Sequence, residues 1–451
     1  MLKLDLETDV LIVGAGPAGI SLAINLGKRK IKCILVDQKP KKQIGYKPCG
    51  DALSPNSTRK LFELCGIQQP KEEEISENLE TAHFRPVLDF ELNIPFVSQT
   101  IDRLKYGQRL LESLINFPWI EFKPKHKVVE TIIQDKKVIG CKIRQENGKI
   151  IKIFAKIVAD CSGVTGIVRR NIPKEVSDKF PSKIPNTEII VSYREIIETP
   201  QPHKYQKQMR IEYHDEMPPP GYFWIFSKGE NLLNIGVGWL INETNRKSNT
   251  RKILELLRNK FFADAKVIHA DGDILTGRLP LYSMVADGFI ACGDAAALIN
   301  PISGEGHGPA LLSGFYASEF VELAIRNQQT DERALWAYNE KIWKSYGYDG
   351  GLGIAVHKLL NAVPFSDFSY LFEKEIISQN DVDAIMDSTS VKLPIFDKVR
   401  KGIRKPRLLL KVAKGLLIAE KIKKLSNNYP NSPDNFNKWV KKIKKIERKK
   451  L

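Results

Sequence analysis

A glycine-rich turn near the start of the chain constrains the fold more than any other feature of the sequence. Residues 8–14 are an apolar run that predicts a buried strand, residues 17–29 predict a helix, and residues 31–37 predict a second strand. The turn that joins the first strand to the helix matches the G-x-G-x-x-G pattern of dinucleotide-binding βαβ units and reads Gly14-Ala15-Gly16-Pro17-Ala18-Gly19.

Each glycine of this turn has a separate physical purpose. Gly14 allows the tight turn, Gly16 lets a pyrophosphate approach the backbone, and Gly19 lets the helix pack closely on the strand. The unpaired N–H groups at the helix start then face the diphosphate. Asp37, followed by Gln38, ends the second strand, where an acid accepts hydrogen bonds from an adenosine ribose. The opening unit is therefore predicted to bind a dinucleotide.

A second segment distinguishes FAD from NAD. Residues 288–293 predict a strand that ends in Gly293-Asp294, and residues 304–326 predict a long helix with small residues at its start. An acid at such a strand end can accept hydrogen bonds from ribityl hydroxyls. A glycine-rich helix start can place N–H groups where charge builds up on a reduced flavin. The two segments together predict an FAD site, although Asp294 alone would also suit a helix N-cap.

The positive charge of the chain is concentrated at one end. Residues 398–451 contain 19 lysines and arginines against three acids, so this tail carries +16 of the net charge of +17. Such a tail favours an anionic surface, which can be phospholipid headgroups, nucleic acid or an acidic partner. Because the body is almost neutral and has no recognisable nucleic-acid-binding module, no nucleic-acid partner is expected.

Two stretches of the tail predict basic amphipathic helices. Phe436, Trp439, Val440, Ile443 and Ile446 share one helical face, and Leu408, Val412, Leu416 and Ala419 share another. The hypothesis favoured here is peripheral contact with an anionic membrane through this tail. The alternative is that these helices pack on the body and leave their lysines in solvent.

The cysteines and apolar runs suggest a location. The six cysteines are scattered without a Cys-x-x-Cys pair, which argues against a metal site or a disulfide framework and predicts a reducing cytoplasm. No apolar run approaches the roughly 20 residues that span a bilayer, and no signal peptide is apparent. We therefore expect a cytoplasmic protein with peripheral membrane association.

The element pattern predicts an α/β protein, α+β overall, in three parts. A Rossmann-like FAD-binding domain is expected over residues 1–75, 98–175 and 270–335. An interleaved antiparallel-sheet domain for the substrate is expected over 76–97 and 176–269. A helical C-terminal region is expected over 336–451.

Three motifs resemble those of known flavoproteins. The fingerprint at Gly14, the segment Ala159-Asp160-Cys161-Ser162-Gly163 and the Gly293-Asp294 pair are similar to the FAD motifs of para-hydroxybenzoate-hydroxylase-like proteins. Within that group, two segments resemble geranylgeranyl reductases, archaeal ether-lipid enzymes among them. They are Lys47-Pro48-Cys49-Gly50-Asp51 and Pro220-Gly221-Tyr222-Phe223-Trp224-Ile225-Phe226, the latter similar to P-x-x-Y-x-W-x-F-P read from Pro219.

The resemblance implies a set of FAD contacts beyond the fingerprint and Asp37. Arg103 would neutralise pyrophosphate charge, and the backbone of Val129 would lie beside the adenine. Cys49 and Gly50 would lie near the isoalloxazine. The remaining contacts it implies are Asp160, Asp294, Gly304, Gly306 and His307.

The resemblance also implies an activity, the reduction of C=C bonds in geranylgeranyl chains of ether phospholipids. Hydride from the flavin N5 and a proton would be added across each bond. Tyr222, Trp224 and Phe226 alternate along a strand and share a face, which suits an isoprenoid chain but also describes ordinary core. Cys49 is the candidate catalytic residue, as proton donor, redox thiol or packed side chain.

Other interpretations stay open at this point. The same fold supports aromatic monooxygenases and halogenases, and a membrane-associated flavin electron carrier is a third possibility. The sequence contains no second G-x-G-x-x-G for a separately bound nicotinamide, although relatives on this fold can use NAD(P)H without one. The electron donor is therefore expected to be either NAD(P)H or a ferredoxin.

Overall fold

The computed structural model describes residues 5–53, 59, 62–87, 90–219, 221–301, 304–378, 381, 401 and 403–451. Pro220, which was named above, lies outside these residues, and so do residues 398–400 and 402 at the start of the basic tail.

The described strands fall into two sheets. In chain order they are β1 (Leu6–Val13), β2 (Cys33–Val36), β3 (Ala52–Leu53), β4 (Ile75–Val87), β5 (Phe90–Ile101), β6 (Ile120–Lys123), β7 (Lys127–Gln134), β8 (Lys137–Arg144), β9 (Ile150–Asp160), β10 (Ile189–Glu198), β11 (Gln208–Glu212), β12 (Gly221–Ser227), β13 (Leu232–Leu240), β14 (Lys266–Thr276), β15 (Val285–Ala286) and β16 (Phe289–Ala291).

The described helices lie between and after these strands. They are α1 (Pro17–Lys28), α2 (Arg103–Glu112), α3 (Ile167–Arg170), α4 (Thr250–Phe261), α5 (His307–Arg326), α6 (Glu332–Ala362), α7 (Phe365–Glu373), α8 (Pro406–Asn427) and α9 (Phe436–Glu447). The predicted mixed α/β class is therefore confirmed.

The first sheet has a parallel centre in the order β16-β9-β1-β2-β6. Its central strands are apolar runs because helices cover both faces of such a sheet. Residues 10–13 of β1 are all buried. A hairpin at Asn147-Gly148 joins β8 to β9, and β9 then continues into the parallel centre beside β1. One long strand thus belongs both to the antiparallel β7-β8-β9 segment and to the dinucleotide-binding unit.

The second sheet is largely antiparallel, in the order β14-β10-β13-β12-β11-β4-β5-β3. It gathers segments that are distant in the sequence, because β4 and β5 precede α2 whereas β10–β14 follow α3. It also includes residues 52–53 and 270–276, beyond the ranges expected for the substrate domain. The residue bounds of the three domains stay a prediction.

The C-terminal helices pack on the body of the protein. Helix α8 lies against α6, and a Cβ on Gly351 of α6 would come 2.8 Å from Ile422, so the small residue permits a close approach. On α9, Phe436, Trp439 and Ile443 are buried. The ring of Trp439 meets that of Trp343 edge to face at 4.7 Å between centroids.

The apolar face of α9 is therefore covered by protein, as the alternative interpretation of the tail expected. On α8 the predicted apolar stripe also turns inward, since Leu408 and Ala419 are buried. Neither stripe is a free surface for lipid. Within the described residues, none of the helices combines the length and apolar content needed to cross a bilayer.

Candidate active site

The candidate site begins at the carboxyl edge of the parallel strands. Gly14 follows β1, Asp37 follows β2 and Cys161 follows β9, and Gly293 comes two residues after the end of β16. Ligands of doubly wound sheets bind outside the carboxyl ends of the strands. The fold therefore brings the fingerprint, Asp37 and the Gly293-Asp294 segment to one edge.

The three fingerprint glycines differ in what surrounds them. Gly14 has φ +106°, and a Cβ there would lie 2.4 Å from the carbonyl oxygen of Cys161. A Cβ on Gly19 would lie 1.9 Å from the carbonyl oxygen of Gly14. A Cβ on Gly16, however, would meet no described protein atom within 4 Å. Two glycines are thus needed for packing, and the third faces open space at the N-terminus of α1, where an anion binds well.

Asp37 lies directly beside this turn. Its Oδ2 accepts a hydrogen bond of 2.8 Å from the amide of Ala15, and its Oδ1 accepts one of 2.8 Å from the amide of Lys39. The carboxylate is thereby held at the end of β2, with Gln38 exposed beside it. Val129 lies at a register shift of the β7–β8 ladder, between Val128 and Glu130. That irregularity suits the backbone contact to adenine implied for Val129, which stays a prediction.

Both carboxylate oxygens of Asp160 accept hydrogen bonds from other residues of the protein. Its Oδ1 accepts from the amide and hydroxyl of Ser162 at 3.1 and 2.6 Å, and its Oδ2 accepts from the amides of Val168 and Arg169 at 3.0 and 2.9 Å. The side chain is completely buried. We infer that this carboxylate orders the turn after β9, and its predicted contact with the cofactor stays a prediction.

Asp294 forms an ion pair that the sequence did not predict. Its Oδ2 accepts from Lys47 Nζ at 2.7 Å, and its side chain is 7% exposed. It caps none of the described helices, because α5 begins at His307 with Gly306 as its N-cap and has no side-chain cap. A Cβ on Gly306 would lie 3.3 Å from Asp294 Oδ1. The loop of Lys47 and the helix start of α5 therefore meet at this carboxylate.

Arg103 and His307 form a buried contact behind that helix start. Arg103 Nη1 lies 2.9 Å from His307 Nδ1. Burial, followed by the charges of Arg103 and Lys47, lowers the pKa of His307 well below its usual value. Because arginine can only donate, Nδ1 accepts and the neutral ring carries its proton on Nε2. Nε2 of His307 and Nε of Arg103 are buried without a partner among the described residues.

These observations fit a bound dinucleotide with a flavin. Open space at Gly16, an uncapped helix start, a guanidinium next to it in the fold and unpartnered buried donors are the features that a large anionic ligand requires. The residues that would hold it are Gly14–Gly19, Asp37, Arg103, Asp294, Gly304, Gly306 and His307.

The second sheet presents an aromatic face toward this edge. Phe223 and Ile225 point to the other face, where they pack with Leu254 and Leu257 of α4. Tyr222, Trp224 and Phe226 alternate with them and form neighbouring ring pairs, at 6.1 and 6.4 Å between centroids.

This face reaches the flavin-side loops at two points. A Cβ on Gly304 would lie 3.2 Å from the hydroxyl oxygen of Tyr222, and a Cβ on Gly50 would lie 2.4 Å from Cε2 of Phe226. Burial raises the pKa of Tyr222 to about 12, so its hydroxyl keeps its proton at neutral pH. The predicted substrate residues and the predicted flavin residues are therefore adjacent.

Cys49 lies at this junction. It is half-buried, whereas the other five cysteines are buried. Its Sγ donates a hydrogen bond to Asp51 Oδ1 at 3.2 Å and accepts one from the amide of Asp51 at 3.4 Å. Burial and the charge of Asp51 raise the pKa of the Cys49 thiol, against the opposing charge of Arg103.

Several residues of this junction were missed by sequence reasoning. Asn234 of β13 donates from Nδ2 to the carbonyl of Cys49 at 2.8 Å and to Asp51 Oδ2 at 3.1 Å. Lys228 Nζ donates to the same Oδ2 at 3.1 Å. A basic residue after an aromatic strand and a single asparagine within an apolar one were the available signals. They identify no partner without the tertiary structure.

Comparison with known proteins agrees with this site. A family model described as FAD binding domain matches residues 7–340, which is most of the chain. A curated relative, the digeranylgeranylglycerophospholipid reductase of Sulfolobus acidocaldarius, is 28% identical over 98% of this chain and 98% of its own length. The predicted resemblance to geranylgeranyl reductases is confirmed by this relative.

Solved structures share the fold at lower identity. A geranylgeranyl bacteriochlorophyll reductase-like protein from Thermoplasma acidophilum superposes with a TM-score of 0.75 at 20% identity, covering 91% of this chain and 99% of its own. A flavin-dependent brominase superposes with a TM-score of 0.66 at 17% identity, covering 89% and 99%. The architecture is thus shared by flavoproteins with different reactions, and the reaction has to be argued from the site.

Proposed function

The chain belongs to the FAD-binding domain family, and from this premise we propose that it is an FAD-dependent reductase of C=C bonds in geranylgeranyl chains of archaeal-type ether phospholipids. Support comes from the relative named above, which aligns over almost the whole of both chains. The fold alone does not choose between reactions, since a brominase shares it. Further support therefore has to come from the site.

The observation that carries the proposal is the position of Cys49. A half-buried thiol lies between a flavin-binding edge and an aromatic sheet face, with Phe226 packed against the adjacent Gly50. Trp224 and Phe226 are 6% and 9% exposed and pack with Leu79, Ala82 and Met209, so the surroundings of this face are apolar. Such a surface suits a long hydrocarbon and excludes water from the reacting carbons.

The chemistry requires a proton donor in an apolar place. An isolated trisubstituted alkene has no conjugated carbonyl to polarise it, so a proton must reach one carbon as the other is reduced. Bound FAD, once reduced, supplies the hydride equivalent. Cys49 holds a proton on Sγ at the edge of the aromatic face, and Tyr222 holds one on its hydroxyl beside Gly304. We assign proton donation to Cys49, and we assign alignment of the isoprenoid chain of the lipid to the aromatic residues.

The test is mass spectrometry of lipids after anaerobic incubation of the chemically reduced, FAD-loaded protein with unsaturated digeranylgeranyl lipid. The expected result is a gain of two hydrogens for each double bond reduced. Unchanged lipid under these conditions would contradict the proposal. Turnover that depends on oxygen, with a hydroxylated or halogenated product, would instead support the monooxygenase or halogenase interpretation.

A lipid substrate also requires access to a membrane, and we propose that the outer face of α8 supplies the contact. Leu410 and Leu417 lie on that face, each 56% exposed, and Ile403 just before the helix is 69% exposed. Arg407 and Lys414 are exposed on the same helix. Exposed leucines flanked by cations are the arrangement that binds anionic lipid surfaces.

A further inference from the structure

The loop that carries Cys49 is built around a buried carboxylate. Asp51 is 6% exposed and adopts φ +60°, a conformation that aspartate tolerates better than most side chains. Its carbonyl accepts from the amide of Ile101 at 3.0 Å, which fastens the loop to the end of β5. The side chain thereby points back at Cys49 and into the second sheet.

The two oxygens of this carboxylate have different partners. Oδ1 accepts from the Cys49 thiol, whereas Oδ2 accepts from Lys228 Nζ and Asn234 Nδ2. Lys228 is held in turn by the carbonyl of Ile101 at 3.0 Å. Arg194 Nη1 of β10 lies 3.9 Å from Oδ2, with its side chain 6% exposed. One oxygen is thus tied to fixed cations and an amide, and the other is left for the thiol.

Other charges also face the thiol. Arg103 lies on α2, and its positive charge opposes the effect of Asp51. Lys47 lies on the same loop but is paired with Asp294. Asp51 is therefore the acidic group in direct contact with the sulfur. The neighbouring cations Lys47 and Arg103 contact Asp294 and His307 instead.

We propose that Asp51 is a positioning residue that keeps Cys49 as a neutral thiol with its S–H directed, and that Lys228 and Asn234 hold Asp51 in that place. A buried carboxylate in hydrogen-bond contact favours the protonated partner and disfavours a second negative charge. Cys49 would then act in the proposed reduction as a proton donor rather than as a thiolate nucleophile or redox thiol. That consequence rests on the proposed function, but the state of the thiol does not.

The test is the pH dependence of Cys49 alkylation by iodoacetamide in the FAD-loaded protein, without lipid. Peptide mass spectrometry locates the adduct, and Cys49 is the one cysteine that is not buried. Because the thiolate is the reacting form, the rate at fixed pH follows the thiolate fraction. The wild-type midpoint is expected above about 8.5, the ordinary value for a free cysteine.

Two variants are expected to move this midpoint in opposite directions. Asp51→Asn retains a residue that tolerates positive φ but removes the negative charge, so alkylation at pH 8 should become about tenfold faster. Lys228→Met removes a cation that neutralises Asp51, so alkylation should become about threefold slower. A loop that was merely loosened would react faster in both variants.

Glu74→Gln is the matched control. Glu74 is a buried carboxylate paired with Arg109 on α2, and its loss weakens a buried ion pair away from the sulfur. It should change the alkylation rate by less than about twofold. The proposal is overturned if Asp51→Asn leaves or raises the midpoint, or if both Asp51→Asn and Lys228→Met accelerate the reaction. Since no lipid is present, this outcome is independent of the reductase assay.

Discussion

The indole Nε1 of Trp224 donates a hydrogen bond of 3.0 Å to Oδ1 of Asn234. The amide Nδ2 of Asn234 in turn donates to the carbonyl of Cys49 at 2.8 Å. One fully buried asparagine therefore connects the aromatic face of the second sheet to the loop of the candidate catalytic thiol. A change on the face is transmitted to the loop through this side chain.

Replacing Asn234 should lower the stability of the folded protein. Asn234→Leu leaves the Trp224 indole and the Cys49 carbonyl without their partner, and each buried orphan costs roughly 1–3 kcal/mol. We expect the free energy of unfolding to fall by about 2–4 kcal/mol in urea titrations. Trp224→Phe, which removes only the indole donor, should cost less. A loss below about 1 kcal/mol for Asn234→Leu would contradict this account.

The fingerprint glycines should separate cofactor binding from folding. Gly16→Ala places a methyl group in open space, so the apoprotein should melt at an unchanged temperature while FAD binds at least about tenfold more weakly. Gly19→Ala is the companion variant, because its methyl would clash with the Gly14 carbonyl and lower the melting temperature. Flavin fluorescence titration and apoprotein melting measure the two effects. Equal FAD affinity in Gly16→Ala and wild type would argue against a pyrophosphate at this turn.

Loss of the thiol should stop reduction without releasing the cofactor. Cys49→Ser and Cys49→Ala should both retain FAD and reduce alkene turnover by about 100-fold or more, because a positioned general acid typically contributes that much. Absorbance of bound flavin after gel filtration and lipid mass spectrometry give the two readouts. Full activity in either variant would remove Cys49 from the mechanism.

The neutral state of His307 predicts an acid limit to stability. The pKa of His307 in the folded protein lies below its unfolded value of about 6.5. Between these two pKa values the unfolded chain therefore binds more protons than the folded protein. Stability is therefore full above pH 6.5 and decreases as the pH falls, by about 1.4 kcal/mol per unit from this group. His307→Gln, which can still accept from Arg103, should reduce that slope in urea titrations between pH 7 and 5. An identical slope in the two proteins would contradict it.

We predict that membrane contact depends on the exposed side chains of the outer face of α8. Removing residues 398–451 would expose the pocket filled by Trp439 and unfold the body, so point variants are required. Leu410→Ser together with Leu417→Ser should weaken flotation with anionic vesicles. Leu323→Ser is the matched control, since Leu323 on α5 is also 56% exposed. Equal flotation by the double variant and the control would exclude this face.

Local patterns were sufficient for the dinucleotide unit. The strand, turn and helix around Gly14 and the acid at Asp37 lie within the first 40 residues, and their geometry follows from backbone sterics and the reach of a helix N-terminus. The alternation of Tyr222, Trp224 and Phe226 also predicted a shared face, because strand periodicity is local. Local patterns could not predict which side of the sheet these residues occupy or which loops they contact.

What the sequence alone determined was therefore the flavin-binding unit, the mixed α/β class and the family resemblance carried by short motifs. The tertiary structure decided the surroundings of Cys49, since Lys228, just after β12, and Asn234 of β13 reach Asp51 across 177 and 183 residues of sequence. It also decided the role of α9, whose apolar face looks like a lipid-binding surface until Trp343 covers it. A hydrophobic stripe predicts burial, but only the packed chain determines what buries it.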